Sequence, residues 1–435
     1  MELYGWGRYP RSEGEFHQAR DRNELVALLQ RLGGPVIASG AGRSYGDSAL
    51  ASHLINTQYL DNFLRFDKET GVLRCGAGTT LQSIIELCAP QGWFPPVLPG
   101  TCFVTVGGAT AADIHGKNHH RHGSYCDHLL EITLLLADGS VETCSTAANS
   151  ELFHATCGGM GLTGIICDLT LQLTRVPGLS IRQRTLPAAN LAECMDLLEA
   201  NESATYSVAW LDCLARGEHS GRSIIYLGEH ADDGDFTLKR RLSLSVPFNA
   251  PSFMLNRYSV AAFNSLLYSL RKRGSDNSSV DFDKYFFPLD NIRHWNRLYG
   301  RRGFLQYQFA IPQESAREGV DRVLRRIAKA GKGSFLSVLK QFGAGNQNLL
   351  SFPMAGYTLA LDFKFENDLL PLLDELDRMV LDHGGRLYLA KDARMSEASF
   401  KSGYPNWEQF MEIKAKYDPN TVFASLQSRR LGLTP

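Results

Sequence analysis

Two glycine-rich segments contain the residues whose types and spacing could take part in chemistry. The first, GAGRSYGD, spans residues 40–47, and the second, VGGATAADIHGKNHH, spans residues 106–120. Glycines permit positive φ angles and let backbone N–H groups approach an anionic ligand closely. Together the two segments predict a pair of backbone cradles that suit a large anionic cofactor with a flat ring system.

The spacing of the glycines argues against the common nucleotide-binding loops. Gly40, Gly42 and Gly46 follow the pattern G-x-G-x-x-x-G rather than G-x-G-x-x-G, and neither segment ends in Gly-Lys-Ser/Thr. A third cluster of glycines lies in CGGMGLTG, residues 157–164. A single segment of this kind is typical of a turn, whereas three in one region favour a ligand, because every glycine has an entropic cost.

Composition limits the class of protein. The chain has 435 residues, 44% of them apolar and 21% charged, with a formal net charge of -1, which is ordinary for a globular protein and makes nucleic acid an improbable partner. The nine cysteines form no C-x-x-C pair and are odd in number, so we expect a reducing, cytoplasmic compartment. No secretory signal and no stretch near ~18 apolar residues is present, so any membrane contact is expected to be peripheral.

The elements that position the glycines read as strands and helices in a mixed order. PVIAS predicts a buried strand before the first glycine segment, FLRFDKETGVLRCG a hairpin, TLQSIIELC a helix, and the stretch around Asp138-Gly139 two strands. From Pro177 the pattern changes to repeated strand-helix-strand units, the last of which is YTLALDFKF, a helix, and RLYLAKD. This layout predicts an α+β protein with helices on one face of a sheet.

The segment between Asp232 and Asp283 has a weaker pattern, and we interpret part of it as surface loop. Residues 242–256 are uncharged and precede Arg257 and the basic run RKR at residues 271–273. This combination fits an interfacial loop, although a solvated loop explains the same residues.

The motifs resemble those of the flavin oxidoreductases of the vanillyl-alcohol oxidase type. The resemblance rests on GAGRSYGD, PGTCFVTVGGATAADIHGKNHHRHGS, ELFHATCGGMGLTGII, YLAKDAR and DPNTVFASLQSRRL, and it spans nearly the whole chain. It implies a two-domain α+β flavoprotein: a PCMH-type FAD-binding domain at residues 1–176, a substrate domain at 177–385 with an antiparallel sheet covered by helices, and a segment at 386–435 that returns to the FAD domain.

The resemblance also implies which residues hold FAD. They come from the glycine segments, the PGT turn and two later strands: Gly40, Gly42, Arg43, Ser44, Tyr45, Gly46, Pro99, Gly100, Thr101, Gly107, Gly108, Ala109, His115, Gly116, Gly161, Ile165 and Tyr388. Many relatives attach the flavin covalently through a histidine in the first loop. Arg43 stands at the corresponding position here, so we expect non-covalent FAD.

Three residues are expected to be catalytic by the same resemblance: Lys391, Lys117 and His115. Oxidation of an alcohol sends a hydride to the flavin and requires an acceptor or relay for the hydroxyl proton. Lys391 is expected nearest that hydroxyl. A desolvated lysine beside another cation can act as a base, and as an ammonium it would instead stabilise the anionic reduced flavin. Both roles remain open.

The predicted substrate-binding residues are Tyr45, Trp210, Tyr285, Gln306, Gln308, Lys340, Ala360 and Lys391. Core packing is the competing interpretation for the aromatic residues Trp210 and Tyr388, and a solvent-facing position for Gln306, Gln308 and Lys340. Ala360 stands where many mycobacterial-type relatives carry a cysteine, so the pocket wall is expected to be smaller and to lack a thiol.

Two rival interpretations compete with a flavin enzyme. His115, His119, His120 and His122 form an H-x-x-x-H-H-x-H cluster that suggests a metal site, but no carboxylate accompanies it at a recognised spacing, and we expect no metal. A flavin-binding protein without catalysis would need no pocket lysine, and neither rival accounts for the C-terminal motif.

The motifs are most similar to the branch of the family that oxidises the 2-hydroxyl of a polyprenylphosphoryl-β-D-ribofuranose to a ketone. The expected partners are therefore a lipid-linked sugar substrate and a short-chain NAD(P)-dependent reductase that completes epimerisation to the arabinose form. A soluble alditol or aldonolactone oxidase with the same fold and FAD is the alternative.

Overall fold

The computed structural model describes residues 1–32, 34–239, 244–251, 253–272 and 277–435. The strands, in chain order, are β1 (Glu2–Tyr4), β2 (Arg11–Glu13), β3 (Glu15–Gln18), β4 (Val36–Ser39), β5 (His53–Asn56), β6 (Phe63–Phe66), β7 (Val72–Gly76), β8 (Trp93–Phe94), β9 (Leu129–Leu135), β10 (Val141–Cys144), β11 (Ile165–Gln172), β12 (Thr174–Arg175), β13 (Ser180–Ala188), β14 (Tyr206–Leu211), β15 (Ser223–His230), β16 (Leu244–Ser245), β17 (Asn277–Asp281), β18 (Ile292–Arg293), β19 (Phe304–Pro312), β20 (Ser337–Phe342), β21 (Gly356–Lys364) and β22 (Arg386–Leu387).

The α-helices, in chain order, are α1 (Arg22–Leu32), α2 (Leu81–Cys88), α3 (Val106–Ala111), α4 (His119–His122), α5 (Ser150–Thr156), α6 (Leu191–Glu199), α7 (Arg257–Lys272), α8 (Phe282–Phe286), α9 (Gln313–Ala330), α10 (Leu369–Asp382), α11 (Glu397–Gly403), α12 (Trp407–Tyr417) and α13 (Leu426–Arg430). Two of these helices, α9 and α10, pack on the largest sheet. In the part of the chain described, no helix is long and apolar enough to cross a membrane.

The N-terminal part of the chain is built on two sheets. A three-stranded parallel sheet has the order β3-β5-β4, and a five-stranded antiparallel sheet has the order β10-β9-β11-β7-β6. The predicted hairpin is β6 and β7, and the strands on either side of Asp138-Gly139 are β9 and β10. Both predictions are confirmed. The first glycine segment leaves the carboxyl end of β4.

An eight-stranded antiparallel sheet, ordered β17-β13-β15-β14-β20-β21-β19-β22, forms the other part. Alternation along β19 separates its two faces. Tyr307 and Phe309 point into the core that α9 and α10 cover, whereas Gln306 and Gln308 point to the opposite face. The α+β class, with helices packed on an antiparallel sheet, is confirmed.

One sequence prediction was incomplete and another was wrong. The weak segment between Asp232 and Asp283, part of which was predicted to be loop, also contains the 16-residue helix α7. RLYLAKD pairs with β19 only at Arg386–Leu387. After Tyr388 the chain turns, because the N–H groups of Lys391 and Asp392 both donate to the Tyr388 carbonyl. Residues 242, 243 and 252 of the predicted interfacial loop, and residue 273 of the basic run, lie outside the described residues.

The C-terminal segment packs against the strand that precedes the first glycine loop. Val36 donates its N–H to the Val422 carbonyl at 2.8 Å and bridges Phe423. The buried ammonium of Lys414 pairs with Asp418 at 2.6 Å and donates to the Leu162 and Phe423 carbonyls. These contacts carry the chain back to its N-terminal part. The residue boundaries of the domains stay a prediction.

Candidate active site

The first glycine loop has one open position and two closed ones. A side chain at Gly40 would place its Cβ 2.1 Å from the Thr105 hydroxyl, and one at Gly46 would place it 1.9 Å from the Asp392 carbonyl oxygen. Gly42 is exposed, has a φ of 62°, and has no atom within 4 Å of a Cβ. Packing therefore explains Gly40 and Gly46, whereas Gly42 borders free space.

The second glycine segment borders free space as well. Thr105 caps α3 by accepting from the Gly108 N–H at 3.3 Å, and Gly108 is exposed. Gly100 is also exposed, with no atom within 4 Å of a Cβ. The guanidinium of Arg43, the residue after Gly42, is 4.5 Å from the Trp6 ring centre and 5.2 Å from that of Phe103.

The remaining residues predicted to hold the cofactor differ in exposure. Ser44, Pro99, Thr101, Gly107 and Gly161 are half-buried, whereas Tyr45, Ala109, His115, Gly116, Ile165 and Tyr388 are buried. The Ile165 side chain packs in a core cluster with Leu135 and Phe423. Tyr388 stacks on Phe352 and donates its hydroxyl to the Ala112 carbonyl at 3.0 Å. Their contacts to a cofactor stay a prediction.

Lys391 lies where the first glycine loop meets the turn after β22. Its ammonium is 4.0 Å from the centre of the Tyr45 ring, and the Tyr45 N–H donates to the Ala390 carbonyl. Burial lowers the pKa of Lys391 to about 8; the Asp362 carboxylate opposes this shift, and the charge of Lys340 adds to it. Near neutral pH the side chain can therefore hold or release a proton.

Asp362 is a residue of this site that the sequence analysis missed. In the β19–β21 register it lies opposite Gln306, whose amide donates to Asp362 Oδ1 at 2.5 Å and to the Tyr45 hydroxyl at 3.3 Å. Burial raises the pKa of Asp362 to about 7. The signal that could have found it is an acidic residue in the apolar strand TLALDF, in phase with Ala360.

His115 lies beside Gln308 and Lys340. The Gln308 amide donates to His115 Nε2 at 2.8 Å, and Lys340 Nζ is 3.5 Å from His115 Nδ1. Burial, with a smaller contribution from Lys340, moves the pKa of His115 well below its ordinary value, so the imidazole is neutral. Burial also lowers the pKa of Lys340 to about 8.

Lys117 completes a group of three half-buried lysines. Its ammonium donates to the Tyr285 carbonyl and lies 4.3 Å from the centre of the Tyr285 ring. Burial and then the charge of Lys340 lower the pKa of Lys117 to about 7. The charge of Lys340 thus acts on both Lys117 and Lys391. Desolvation makes the positive charge of all three lysines unfavourable, so the group is suited to stabilising a negative charge that arrives beside it.

Two predicted substrate residues lie in packed surroundings. Trp210 donates its indole N–H to the Phe335 carbonyl at 3.0 Å and packs with Ile224 and Tyr268 of α7. Tyr285 is buried, with its hydroxyl 3.4 Å from each of two strand carbonyls. Ala360, by contrast, is half-buried and lies opposite Gln308 in the register. The structure thus groups Tyr45, Gln306, Gln308, Lys340, Ala360 and Lys391.

The histidines of the loop have separate partners. His119 contacts the Ser124 hydroxyl and accepts from the Gly343 N–H, and His120 contacts the Ala204 carbonyl. His115 is held by Gln308 and Lys340 as described. The imidazoles of this loop therefore take part in hydrogen bonds to several different elements.

The free space beside the glycines fits FAD. Gly42, Gly100 and Gly108 present exposed backbone around it, and the buried Nε of Arg43 has no partner among the described residues, as expected for a donor reserved for an anionic ligand. The two glycine cradles, the lysine group and the polar sheet face define a flavin-dependent oxidoreductase.

Comparisons with known proteins agree with this class. Residues 15–145 match the FAD binding domain family, and residues 357–431 match the family described as D-arabinono-1,4-lactone oxidase. The chain is 37% identical to the decaprenylphosphoryl-beta-D-ribose oxidase of Mycolicibacterium smegmatis over 99% of this chain and 97% of that protein. It is 24% identical to the L-gulonolactone oxidase of Mus musculus, over 92% and 90%, and 22% identical to the L-gulono-1,4-lactone dehydrogenase of Mycobacterium tuberculosis, over 94% and 92%.

The chain belongs to the decaprenylphosphoryl-β-D-ribose oxidase family. It is an FAD-dependent oxidoreductase that acts on CH–OH groups.

Replacement of Gly42 by valine is expected to reduce the FAD content of the purified protein to a small fraction of the wild-type value, because the side chain would enter the free space and the φ of 62° disfavours valine. The flavin-to-protein absorbance ratio measures this. Gly217→Val is the matched control, since Gly217 has a φ of 61° and an equally open surrounding away from the loop. Equal loss in both variants would show that backbone strain alone is responsible.

The pH dependence of substrate-driven flavin reduction should be bell-shaped. Asp362, with a pKa raised to about 7, ionises as the pH rises, and Lys391, with a pKa lowered to about 8, loses its proton above that value. We expect the ion pair to be the active form. Asp362→Asn should remove the acidic limb of the profile. Loss of that limb would assign it to Asp362 rather than to Lys117, whose pKa is also about 7. A rate that keeps rising above the alkaline pKa would instead make Lys391 the base.

Proposed function

We propose that the protein oxidises the 2-hydroxyl of a polyprenylphosphoryl-β-D-ribofuranose to the ketone, the first half of an epimerisation to the arabinose form. The observation that carries the proposal is the 37% identity, over 99% of the chain, to a decaprenylphosphoryl-beta-D-ribose oxidase. The grouping of Lys391, Asp362 and Gln306 supports it, because it supplies polar groups around a single point on the sheet face.

The chemistry requires the C2–H bond to break with its electron pair, the hydroxyl proton to leave, and a C=O bond to form. FAD, when bound, supplies the acceptor for the hydride. We assign the Lys391 ammonium to orient the hydroxyl and the Asp362 carboxylate to take its proton, because burial moves the pKa of each group toward neutrality. Gln306 holds Asp362, while the cations Lys117 and Lys340 favour negative charge arriving in this region.

The substrate residues we propose are those grouped on the sheet face, with Trp210 and Tyr285 as its packed border. FAD is proposed to be held without a covalent bond, since Arg43, which cannot form the histidyl linkage of many relatives, occupies the first loop and contacts the Trp6 and Phe103 rings.

A soluble aldonolactone oxidase is the second candidate. The match of residues 357–431 to the arabinono-lactone oxidase family favours it. The gulonolactone enzymes, however, are only 24% and 22% identical to the chain, against 37% for the ribose oxidase, so we place the lipid-linked ribose first.

An exposed apolar surface supports a lipid-linked substrate. Tyr258, Phe263, Leu266 and Leu270 are exposed along α7, whose other side buries Val260, Asn264 and Tyr268. The preceding segment adds further exposed apolar side chains: Leu244, Phe248, Phe253 and Met254. Arg271 and Lys272 end the helix. Apolar residues with adjacent cations are typical of an interfacial surface. We therefore propose peripheral contact with the cytoplasmic side of a membrane.

We also propose that a short-chain NAD(P)-dependent reductase consumes the ketone.

The proposal is tested by anaerobic stopped-flow absorbance of the holoenzyme mixed with a short-chain prenylphosphoryl-β-D-ribose, with xylitol, or with a simple aldonolactone. We expect only the lipid-linked ribose to bleach the oxidised flavin band. Lys391→Met should keep its FAD but slow the bleaching by roughly 100-fold or more, whereas Lys401→Met, on the surface helix α11, should not. Bleaching by the lactone or the polyol alone would move the enzyme to the soluble class.

Membrane contact is tested by sedimentation with vesicles of phosphatidylcholine and phosphatidylglycerol. The double change Leu266→Asp with Leu270→Asp should weaken binding by roughly tenfold or more, because two exposed apolar side chains of α7 no longer enter the lipid. The control is Leu64→Asp with Leu130→Asp, two exposed leucines on the five-stranded sheet. Equal binding of both double variants and the wild type would exclude α7 as the contact.

A further inference from the structure

Three potential metal ligands meet near the edge of the three-stranded parallel sheet, where β3 pairs with β5. Glu15 and His17 are two residues apart on β3 and therefore share one face of it. In the parallel register Glu15 lies beside His53, the first residue of β5. The strand pairing thus places a carboxylate and two imidazoles side by side.

We propose that Glu15, His17 and His53 form a Zn²⁺ site that joins the edge strand β3 to β5. The three ligand atoms, Glu15 Oε2, His17 Nε2 and His53 Nδ1, are mutual neighbours. The site takes no part in the proposed oxidation. Its expected role is to fix the sheet whose third strand, β4, leads into the first glycine loop.

The distances carry the proposal. His17 Nε2 is 3.2 Å from His53 Nδ1, and each of these nitrogens is 3.4 Å from Glu15 Oε2. Zinc bonds to nitrogen and oxygen are about 2.0–2.2 Å long, so two ligands of a tetrahedral ion lie about 3.3–3.5 Å apart. The three atoms therefore match one face of a zinc tetrahedron, with the fourth position left to water.

Exposure and charge favour a site that exchanges metal with solvent. The side chains of His17 and His53 are 16% and 23% exposed, whereas that of Glu15 is 69% exposed. Glu15 supplies one negative charge. Arg31 is the nearby positive charge that opposes a cation.

The competing interpretation is a hydrogen-bonded His-His-Glu group without metal. In that arrangement one imidazole donates to the other, and Glu15 accepts from a ring N–H. The same three contacts would be present, but no lone pairs would converge on a common point. Added zinc would then bind no more tightly here than at other surface histidines.

Isothermal titration of chelator-treated holoenzyme with ZnCl₂ distinguishes the two. We expect saturation at about one zinc per chain and a higher melting temperature in the presence of zinc. His17→Gln and His53→Gln should each weaken binding by roughly 100-fold, since loss of even an outer partner of a ligand costs about 10–100-fold. His219→Gln, which changes an exposed histidine of a distant turn, should leave binding unchanged.

Glu15→Gln provides a second variant in case a histidine change impairs folding, because its side chain is largely exposed. It should also weaken binding while leaving the FAD content intact. Absence of saturable binding to the wild type, or equal binding by wild type, His17→Gln and Glu15→Gln, would overturn the proposal and leave the hydrogen-bonded group.

Discussion

The arrangement of the site depends on the guanidinium of Arg430, which lies between two buried carboxylates. It donates to both oxygens of Asp47 at 2.7 and 3.0 Å and to Asp392 Oδ2 at 2.8 Å. Asp47 ends the first glycine segment, and Asp392 follows Lys391. One cation near the C-terminus therefore holds the glycine loop against the turn that presents Lys391. Removing it would leave two buried charges without their partner, which is far more costly than losing a surface ion pair.

Close backbone contact reinforces this junction. Gly46 lies so near the Asp392 carbonyl that no side chain fits between them, and the Tyr45 N–H donates to the Ala390 carbonyl. Tyr45 consequently lies under the Lys391 ammonium and within reach of Gln306. The glycine loop thus positions the residues proposed to be catalytic as well as bordering the space proposed for the cofactor.

The antiparallel sheet carries polar side chains on the face opposite to its apolar core. Alternation gives one face to the apolar core under α9 and α10 and leaves the other face for Gln306, Gln308, Lys340 and Asp362. Burial moves the pKa values of Lys340, Lys391 and Asp362 toward neutrality. The cost of desolvating these charges is the property that makes them useful for proton and charge transfer.

Local pattern alone was enough to predict the hairpins, the α+β class and the glycine-rich turns, whereas the role of YLAKD came from the family resemblance and stays a prediction. These depend on interactions between residues near in sequence, such as alternation, helical spacing and turn chemistry. Tertiary structure decided what no local pattern contains. It turned the chain after Tyr388, placed Asp362 beside Gln306 and Glu15 beside His53, and joined Asp47 to Asp392 through Arg430. Those neighbours come from strand register and chain return over tens to hundreds of residues, and only the folded arrangement brings them together.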